Sequence, residues 1–183
     1  MALRKQSKLD EGGLWDYALR ILARKAYSAA EIKQKLTQRA ALISDIPAIL
    51  TKLREYGFAD DEKFSEAFAA SRLRNQGFGR SRVLRDLRTK RVSPKVAEQA
   101  IEKTFAGTSE AELIDTFLAR KYRSKDLTVF LKEEKNLASA YRKLRLGGFS
   151  SNASLAALKR HAKHAADWEV DDDSVAEHLG DDL

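Results

Sequence analysis

The sequence predicts an all-α protein, an elongated right- or left-curved array of three tandem three-helix repeats. A leucine that closes a helix, a short basic or glycine turn, and a Ser or Asp that opens the next helix recur at Leu36, Leu87 and Leu144. The intervals of 51 and 57 residues between these leucines suit three helices each. The chain also has only two prolines and no sustained alternation of β-branched residues, so it offers little material for a sheet. Repeated helical units usually build a binding surface, because each buries its apolar stripe against its neighbours.

A flexible basic segment, residues 1–13, is predicted to precede the first repeat at 14–58. Gly12-Gly13 ends this segment, and apolar residues then recur at helical spacing. Ser28-x-x-Glu31 is a capping box, in which the hydroxyl and the carboxylate satisfy unpaired amides. The second helix is therefore expected to begin there.

The third helix of this repeat is predicted to open near Asp45, with Pro47 in its first turn. Its apolar residues keep helical spacing as far as Tyr56. Gly57 ends the helix, because glycine readily takes the left-handed conformation that follows a helix.

The second repeat is predicted at 59–107. Asp60-Asp61-Glu62 supplies an N-cap and two further acids where the helix dipole favours negative charge. Gly77-Phe78-Gly79 separates the fourth helix from the fifth. Ser93-Pro94 gives the sixth helix a cap and a first-turn proline.

The third repeat is predicted at 108–166 and begins with a second capping box, Ser109-x-x-Glu112. The stretch 123–146 has helical spacing, but whether it forms one continuous helix stays open. A last helix is expected from about Ser150, followed by an acidic C-terminal tail at 167–183 that is expected to be partly disordered.

The charge of the chain is unevenly distributed. The net charge is +7, but residues 167–183 hold eight acids and no Lys or Arg, so residues 1–166 carry +15. A body this basic attracts polyanions or an acidic protein surface, because neutralisation releases counterions. The alternative is a solvated, solubilising exterior. The tail either folds back on the body and competes with DNA or serves as a solubilising appendage.

Composition also excludes several classes of protein. The absence of cysteine excludes disulfides, thiolate metal sites and cysteine nucleophiles, and suits a reducing compartment. No run approaches the roughly 20 apolar residues of a membrane span, and the N-terminus lacks the apolar centre of a signal peptide. We expect a soluble cytoplasmic monomer without a cofactor.

Basic side chains are the candidate binding residues. We predict that a DNA- or filament-binding surface includes, on and around the fifth helix, Arg72, Arg74, Arg80, Arg82, Arg85, Arg88, Lys90 and Arg91. Around the Gly147-Gly148 turn and near the N-terminus it includes Arg142, Lys143, Arg145, Lys159, Arg160, Arg20, Arg24 and Lys25. Free amides from Gly79 to Arg82 are further predicted to hold a phosphate or a carboxylate. The alternative for each group of basic residues is an ordinary solvated surface. Phosphate contacts of this kind predict binding with low sequence specificity.

Three other features are interpreted structurally. Asp60-Asp61-Glu62 is expected to be a cap rather than an acid–base pair. His161 and His164 are expected to be solvated rather than to share a metal, because no acid is spaced to complete the site. Packing is favoured over base stacking for both Trp15 and Trp168.

Several motifs stand in a distinctive order along residues 14–165. They are Leu19-x-x-Leu22-Ala23-Arg24-Lys25-x-Tyr27-Ser28-x-x-Glu31-Ile32-x-x-Lys35-Leu36, Leu53-x-x-Tyr56-Gly57-Phe58-Ala59-Asp60-Asp61-x-x-Phe64, Arg72 through Gly77, Arg82-Val83-x-x-Asp86-Leu87-x-x-Lys90, and Leu144 with Gly148-Phe149-Ser150. In this order they resemble the RecX family, regulatory proteins of the RecA recombinase. Arg91 departs from the pattern, since glycine is expected before Val92, and a positive φ there strains the turn.

The resemblance implies an elongated helical-repeat protein that binds the RecA filament on DNA. It also implies inhibition of strand exchange, ATP hydrolysis and co-protease activity in DNA repair and the SOS response. The residues themselves support a curved basic surface suited to a long anionic or filamentous partner. We expect single- or double-stranded DNA, bound without strong sequence preference, to be one such partner. The alternative is a helix-turn-helix transcriptional regulator, which the short turn from Lys90 to Pro94 could imitate. An enzyme is not expected, because no nucleophile, base and orienting group can be assembled.

Overall fold

A computed structural model describes residues 7–162, and every regular element in this range is helical. The helices of the described range are α1 Glu11–Leu22, α2 Ala29–Arg39, α3 Ile46–Glu55, α4 Asp61–Gln76, α5 Arg80–Thr89, α6 Pro94–Thr104, α7 Glu110–Lys121, α8 Leu127–Phe130, α9 Glu134–Leu146 and α10 Ser151–His161. A 3₁₀ turn at Ile43–Asp45 precedes α3. The predicted all-α class is confirmed, whereas the division into three repeats and their elongated, curved arrangement stay predictions.

The chain forms two compact units. The first comprises Met1–Phe68 and Asp86–Ala100, and the second comprises Ala69–Arg85 and Ile101–Leu183. The predicted acidic tail at 167–183 and residues 1–6 of the predicted flexible segment lie outside the described residues. Between residues 7 and 162, no helix is long and apolar enough to cross a bilayer.

The first unit has a core built from the inward faces of α1, α2 and α3. Its buried side chains include Leu14, Ile32, Leu36, Ile49 and Leu53. Full burial of each such aliphatic side chain contributes about 1.5–3 kcal/mol. The apolar residues recur every three or four positions, so each helix turns one continuous stripe toward the others.

Helix α1 begins earlier than the sequence predicts. Its first residue is Glu11, and the Oδ1 of Asp10 accepts a hydrogen bond of 2.9 Å from the amide of Gly13. The prediction that Gly12-Gly13 ends a flexible segment is therefore wrong. The Asp10 cap satisfies an otherwise unpaired amide, which outweighs the low helix propensity of glycine in the first turn.

One backbone carbonyl in each copy of the recurring leucine motif accepts a long-range hydrogen bond. It belongs to the third residue after the leucine, and it accepts a hydrogen bond from a segment that lies earlier in the chain. The bonds run from the amide of Leu9 to Arg39 at 2.8 Å, from the hydroxyl of Ser28 to Lys90 at 2.6 Å, and from the amide of Gly79 to Gly147 at 2.8 Å. The recurrence in sequence thus corresponds to a recurrence of hydrogen bonding.

The turns after α5 and α9 share one geometry. In each, the residue five positions after the leucine donates its amide to the leucine carbonyl, from Val92 to Leu87 at 3.3 Å and from Phe149 to Leu144 at 3.2 Å. This bond and the left-handed residue before it define a Schellman motif. The turn after α2 differs, because its cap residue Ala40 is extended with φ −65° and ψ 134°.

The core of the second unit is formed by α7, α9 and α10. It includes Leu118, Leu144, Phe149 and Leu158, all at most 1% exposed. The stretch 123–146, whose continuity the sequence left open, is divided into the single turn α8 and the longer α9. Asp126 accepts a hydrogen bond from the amide of Thr128 at 2.9 Å and thereby caps α8.

Candidate nucleic-acid interface

The predicted cations are distributed over both units. The first unit carries Arg20, Arg24, Lys25, Arg88, Lys90 and Arg91, and the second carries Arg72, Arg74, Arg80, Arg82, Arg85, Arg142, Lys143, Arg145, Lys159 and Arg160. The boundary between the units falls within α5, so the predicted cluster on this helix contributes to both.

Two of the four amides predicted to hold an anion at the start of α5 already have partners within the protein. The amide of Gly79 donates to the carbonyl of Gly147 at 2.8 Å, and the amide of Ser81 donates to that of Gly148 at 3.3 Å. The fit is close, since a Cβ on Gly148 would lie 2.3 Å from the amide nitrogen of Arg82. The α9–α10 turn therefore pairs with two of these amides and packs closely against the backbone of Arg82, which leaves little space there for a ligand.

The same contact brings two predicted basic clusters of the second unit together. Nη1 of Arg82 donates to the carbonyl of Leu146 at 3.5 Å, and Nη1 of Arg145 donates to that of Phe149 at 2.7 Å. Nη2 of Arg80 donates to the carbonyl of Phe105 at 3.1 Å. Each of these guanidinium groups therefore supports a backbone turn of the second unit through its fixed set of N–H donors.

Two predicted cations are held by carboxylates. Nζ of Lys90 lies 2.9 Å from Oε1 of Glu31, with side chains 24% and 20% exposed. Nη2 of Arg160 contacts both carboxylate oxygens of Asp115, at 3.0 and 3.1 Å. Lys90 thereby supports the start of α2, because Glu31 also accepts a hydrogen bond of 3.3 Å from the amide of Ser28 in the predicted capping box.

Other predicted cations are exposed to solvent in their own unit. In the first unit these are Arg20, Arg24, Lys25, Arg88 and Arg91, and in the second they include Arg74 and Arg142. Lys143 is partly buried, with its Nζ 5.3 Å from the ring centroid of Tyr122. The exposed guanidinium groups are accessible to phosphate oxygens, and contacts of this type carry no base information.

The acidic triplet caps two helices. Oδ1 of Asp60 accepts hydrogen bonds of 3.0 Å from the amides of Glu62 and Lys63 at the start of α4. Oδ1 of Asp61 accepts one of 2.8 Å from the amide of Ala29 at the start of α2. The capping interpretation is confirmed. The backbone hydrogen bond from Lys63 is the main cause that lowers the pKa of Asp60 below its ordinary value.

Of the two histidines considered as a metal site, only His161 lies in the described part of the chain. Nε2 of His161 lies 3.3 Å from Oδ1 of Asp115, whereas His164 is outside the described residues. Within residues 7–162, no group of three or more His, Cys, Asp and Glu side chains could hold a metal ion.

Two exposed aromatic residues were not identified as a site by the sequence. Tyr56, predicted to continue the apolar stripe of α3, is 62% exposed, and Phe58 is 47% exposed. That expectation is wrong because α3 ends at Glu55 and the chain turns at Gly57, with φ +72°. The Tyr-Gly-Phe sequence carries the available signal, since aromatic residues that flank a left-handed glycine lie beyond the end of the helical stripe.

The described residues define a class: a basic, all-helical protein in which helix–turn–helix elements recur. A model of the RecX family, described as "RecX, second three-helix domain", matches residues 60–101. The "Regulatory protein RecX" of Syntrophotalea carbinolica is 26% identical over 75% of this chain and 88% of that protein. That of Chromohalobacter salexigens is 36% identical over 48% of this chain and 57% of that protein. The crystal structure of RecX from Lactobacillus salivarius has the same fold, with a TM-score of 0.66 at 18% identity over 82% of this chain and 96% of that one. These matches support the resemblance to the RecX family that the sequence motifs indicate.

Proposed function

We propose that this protein regulates the RecA recombinase in the cytoplasm, by binding RecA nucleoprotein filaments and DNA and inhibiting recombinase, ATPase and co-protease activity. Its similarity to RecX regulatory proteins, over residues 60–101 and over 75% of the chain, carries the proposal. The activity belongs to DNA repair and the SOS response and requires no catalysis by the chain itself.

The exposed guanidinium groups supply the physical basis of the interaction with DNA. Arg88 and Arg91 in the first unit and Arg142 in the second are exposed, and each can neutralise one phosphate. Binding of this kind depends steeply on salt and weakly on sequence, as is suited to a partner that must be engaged wherever a filament forms.

The test is the DNA-dependent ATPase of RecA at a fixed filament concentration. We expect inhibition at less than one copy of this protein per RecA subunit, because restraint of a polymer requires few bound copies. The triple variant Arg88→Ala/Arg91→Ala/Arg142→Ala should require more protein for the same inhibition. Lys121→Ala, which removes an exposed cation outside the predicted surface, is the matched control and should resemble wild type.

Binding to unrelated duplexes tests the alternative of a transcriptional regulator. Similar affinities for all duplexes, with ATPase inhibition, support filament regulation. One strongly preferred duplex without any effect on the ATPase would contradict the proposal and favour a repressor of helix-turn-helix type.

A further inference from the structure

Three aromatic side chains form a surface in the first unit, which we call the aromatic platform: Trp15, Tyr56 and Phe58. The rings of Tyr56 and Phe58 are nearly parallel, with an interplanar angle of 15° and centroids 6.2 Å apart. The ring of Trp15 lies 5.8 Å from that of Tyr56, so the three rings are contiguous. Trp15 also packs against the core, as the sequence favours, which anchors one end of the platform.

The exposed rings are held in place by the backbone rather than by burial. After α3, the amide of Gly57 donates to the carbonyl of Arg54 at 2.9 Å, and the amide of Phe58 donates to that of Leu53 at 2.8 Å. This Schellman motif fixes the directions of the side chains on either side of Gly57. Contiguous exposed aromatic surface is unfavourable in water, and it usually marks a site of interaction.

Lysine side chains lie over or beside the aromatic faces. Nζ of Lys52 is 4.3 Å from the ring centroid of Trp15. Phe58 also borders a cleft of about 330 Å³, whose other aromatic walls are Tyr27 and Phe64. The ammonium groups of Lys25 and Lys35 lie 5.4 and 4.9 Å from the ring centroid of Tyr27. Positive charge thus lies over Trp15 of the platform and over Tyr27 in the cleft that Phe58 borders.

We propose that the aromatic platform stacks the unpaired bases of single-stranded nucleic acid, while the flanking lysines contact its phosphates. The combination of open aromatic faces and adjacent cations is what single-strand binding requires, because every base has a π-face and every nucleotide a negative charge. The bases of a duplex cannot stack on the platform, since they already stack on each other. The inference rests on the proposed function in that it names a second, base-dependent contact to DNA.

The deciding experiment compares oligothymidine with an abasic oligonucleotide of the same length, which has the same phosphates but no bases. Fluorescence anisotropy at fixed salt should show that wild-type protein binds oligothymidine about tenfold more tightly, within the range reported for stacking. Tyr56→Ala/Phe58→Ala should lose this preference and bind both oligonucleotides as weakly as wild type binds the abasic one. Leu42→Ala/Ile43→Ala, which removes two other exposed apolar side chains of the same unit, is the matched control and should keep the preference.

Two further measurements separate stacking from a structural role. In a Trp168→Phe background, where Trp15 is the remaining tryptophan, bases that stack on the platform should quench tryptophan fluorescence, and the abasic oligonucleotide should not. Circular dichroism should first show that Tyr56→Ala/Phe58→Ala is folded. The variant Tyr56→Phe/Phe58→Tyr retains both aromatic rings and should prefer oligothymidine over the abasic oligonucleotide as wild type does. If the rescue variant behaves like the alanine variant, the contact is not stacking and the inference is wrong.

Other outcomes would also overturn the inference. Equal wild-type affinity for the two oligonucleotides excludes stacking even if the RecA ATPase is inhibited, and in that case the proposed function stands alone. Loss of ATPase inhibition by Tyr56→Ala/Phe58→Ala with unchanged base preference assigns the surface to a protein partner instead. Base preference without ATPase inhibition would support the platform and contradict the proposed function.

Discussion

Arg91 has a φ of 58° and is the one non-glycine residue with positive φ in the described part of the chain. It follows α5 at the position where the sequence analysis expects glycine, and the backbone there is left-handed. For an L-amino acid this conformation costs roughly 1–2 kcal/mol, because Cβ approaches the carbonyl oxygen. The residue is exposed, so its retention is consistent with the phosphate contact proposed for its guanidinium.

Arg91→Gly should therefore stabilise the fold. We expect the free energy of unfolding in urea to rise by up to about 1 kcal/mol, since relief of the strain exceeds the entropy that glycine adds to the unfolded chain. Arg88→Gly, in the last turn of the same helix, is the control and should lower it by about 1 kcal/mol. Equal destabilisation by both substitutions would show that the turn at Arg91 is unstrained.

The pKa of Asp60 predicts a dependence of stability on pH. The folded pKa is lowered, chiefly by the hydrogen bond from the Lys63 amide, so the stabilisation is complete above the unfolded pKa and is lost as pH falls through the folded one. Asp60→Ala should cost about 0.5–2 kcal/mol at pH 7, and urea unfolding should show this cost shrinking in acid. Asp60→Asn keeps a cap without a titratable charge and should lose less. A cost for Asp60→Ala that is independent of pH would contradict the assignment.

At the scale of elements, the backbone at the start of α5 and the backbone of the α9–α10 turn approach each other closely at Gly79 and Gly148. A Cβ on Gly79 would lie 2.5 Å from the carbonyl oxygen of Gly148, and Gly148 itself has a φ of +90°. No side chain fits between two backbones at this distance. The two glycine turns that the sequence marks separately are therefore one structural contact.

Gly148→Ala should be much more damaging than a glycine substitution in open space. We expect a loss of about 2–5 kcal/mol in the free energy of unfolding, from steric overlap and left-handed strain together. Gly107→Ala is the matched control in the same unit, since its φ is +70° and nothing lies within 4 Å of the new Cβ. It should cost only the strain, about 1–2 kcal/mol. Similar losses for the two variants in thermal or urea unfolding would argue against the close contact.

At the scale of the whole molecule, charge asymmetry determines the expected response to salt. Removal of residues 167–183 changes the net charge from +7 to +15. If the tail competes with DNA for the basic body, the truncated protein should bind DNA more tightly at low salt, and the difference should fade as screening increases. Anisotropy titrations across a salt series measure this. A full-length variant with the eight tail acids replaced by Asn or Gln should match the truncation, whereas unchanged affinity in both would identify the tail as a solubilising appendage.

The helices and most of their starts could be predicted from the sequence because they depend on local chemistry. The Ser28 and Ser109 caps, the Asp60 cap and the glycine turn at Gly57 each involve residues within five positions of one another. The start of α1 was missed although Asp10 carries the signal, because Gly12-Gly13 indicated the opposite. Hydrophobic spacing likewise identified the core residues of α1 to α3.

Only the tertiary structure decided which of the candidate groups are accessible. The amides before α5 are occupied by a turn more than sixty residues later, and Lys90 is paired with Glu31 across a similar separation. Tyr56 and Phe58 are exposed because the chain leaves the helix axis at Gly57. The sequence by itself determined helix content, caps, charge and family resemblance, since these depend on neighbours along the chain. Residues distant in sequence determine which cations are paired and which aromatic rings are exposed, because long-range contacts form only when the helices pack.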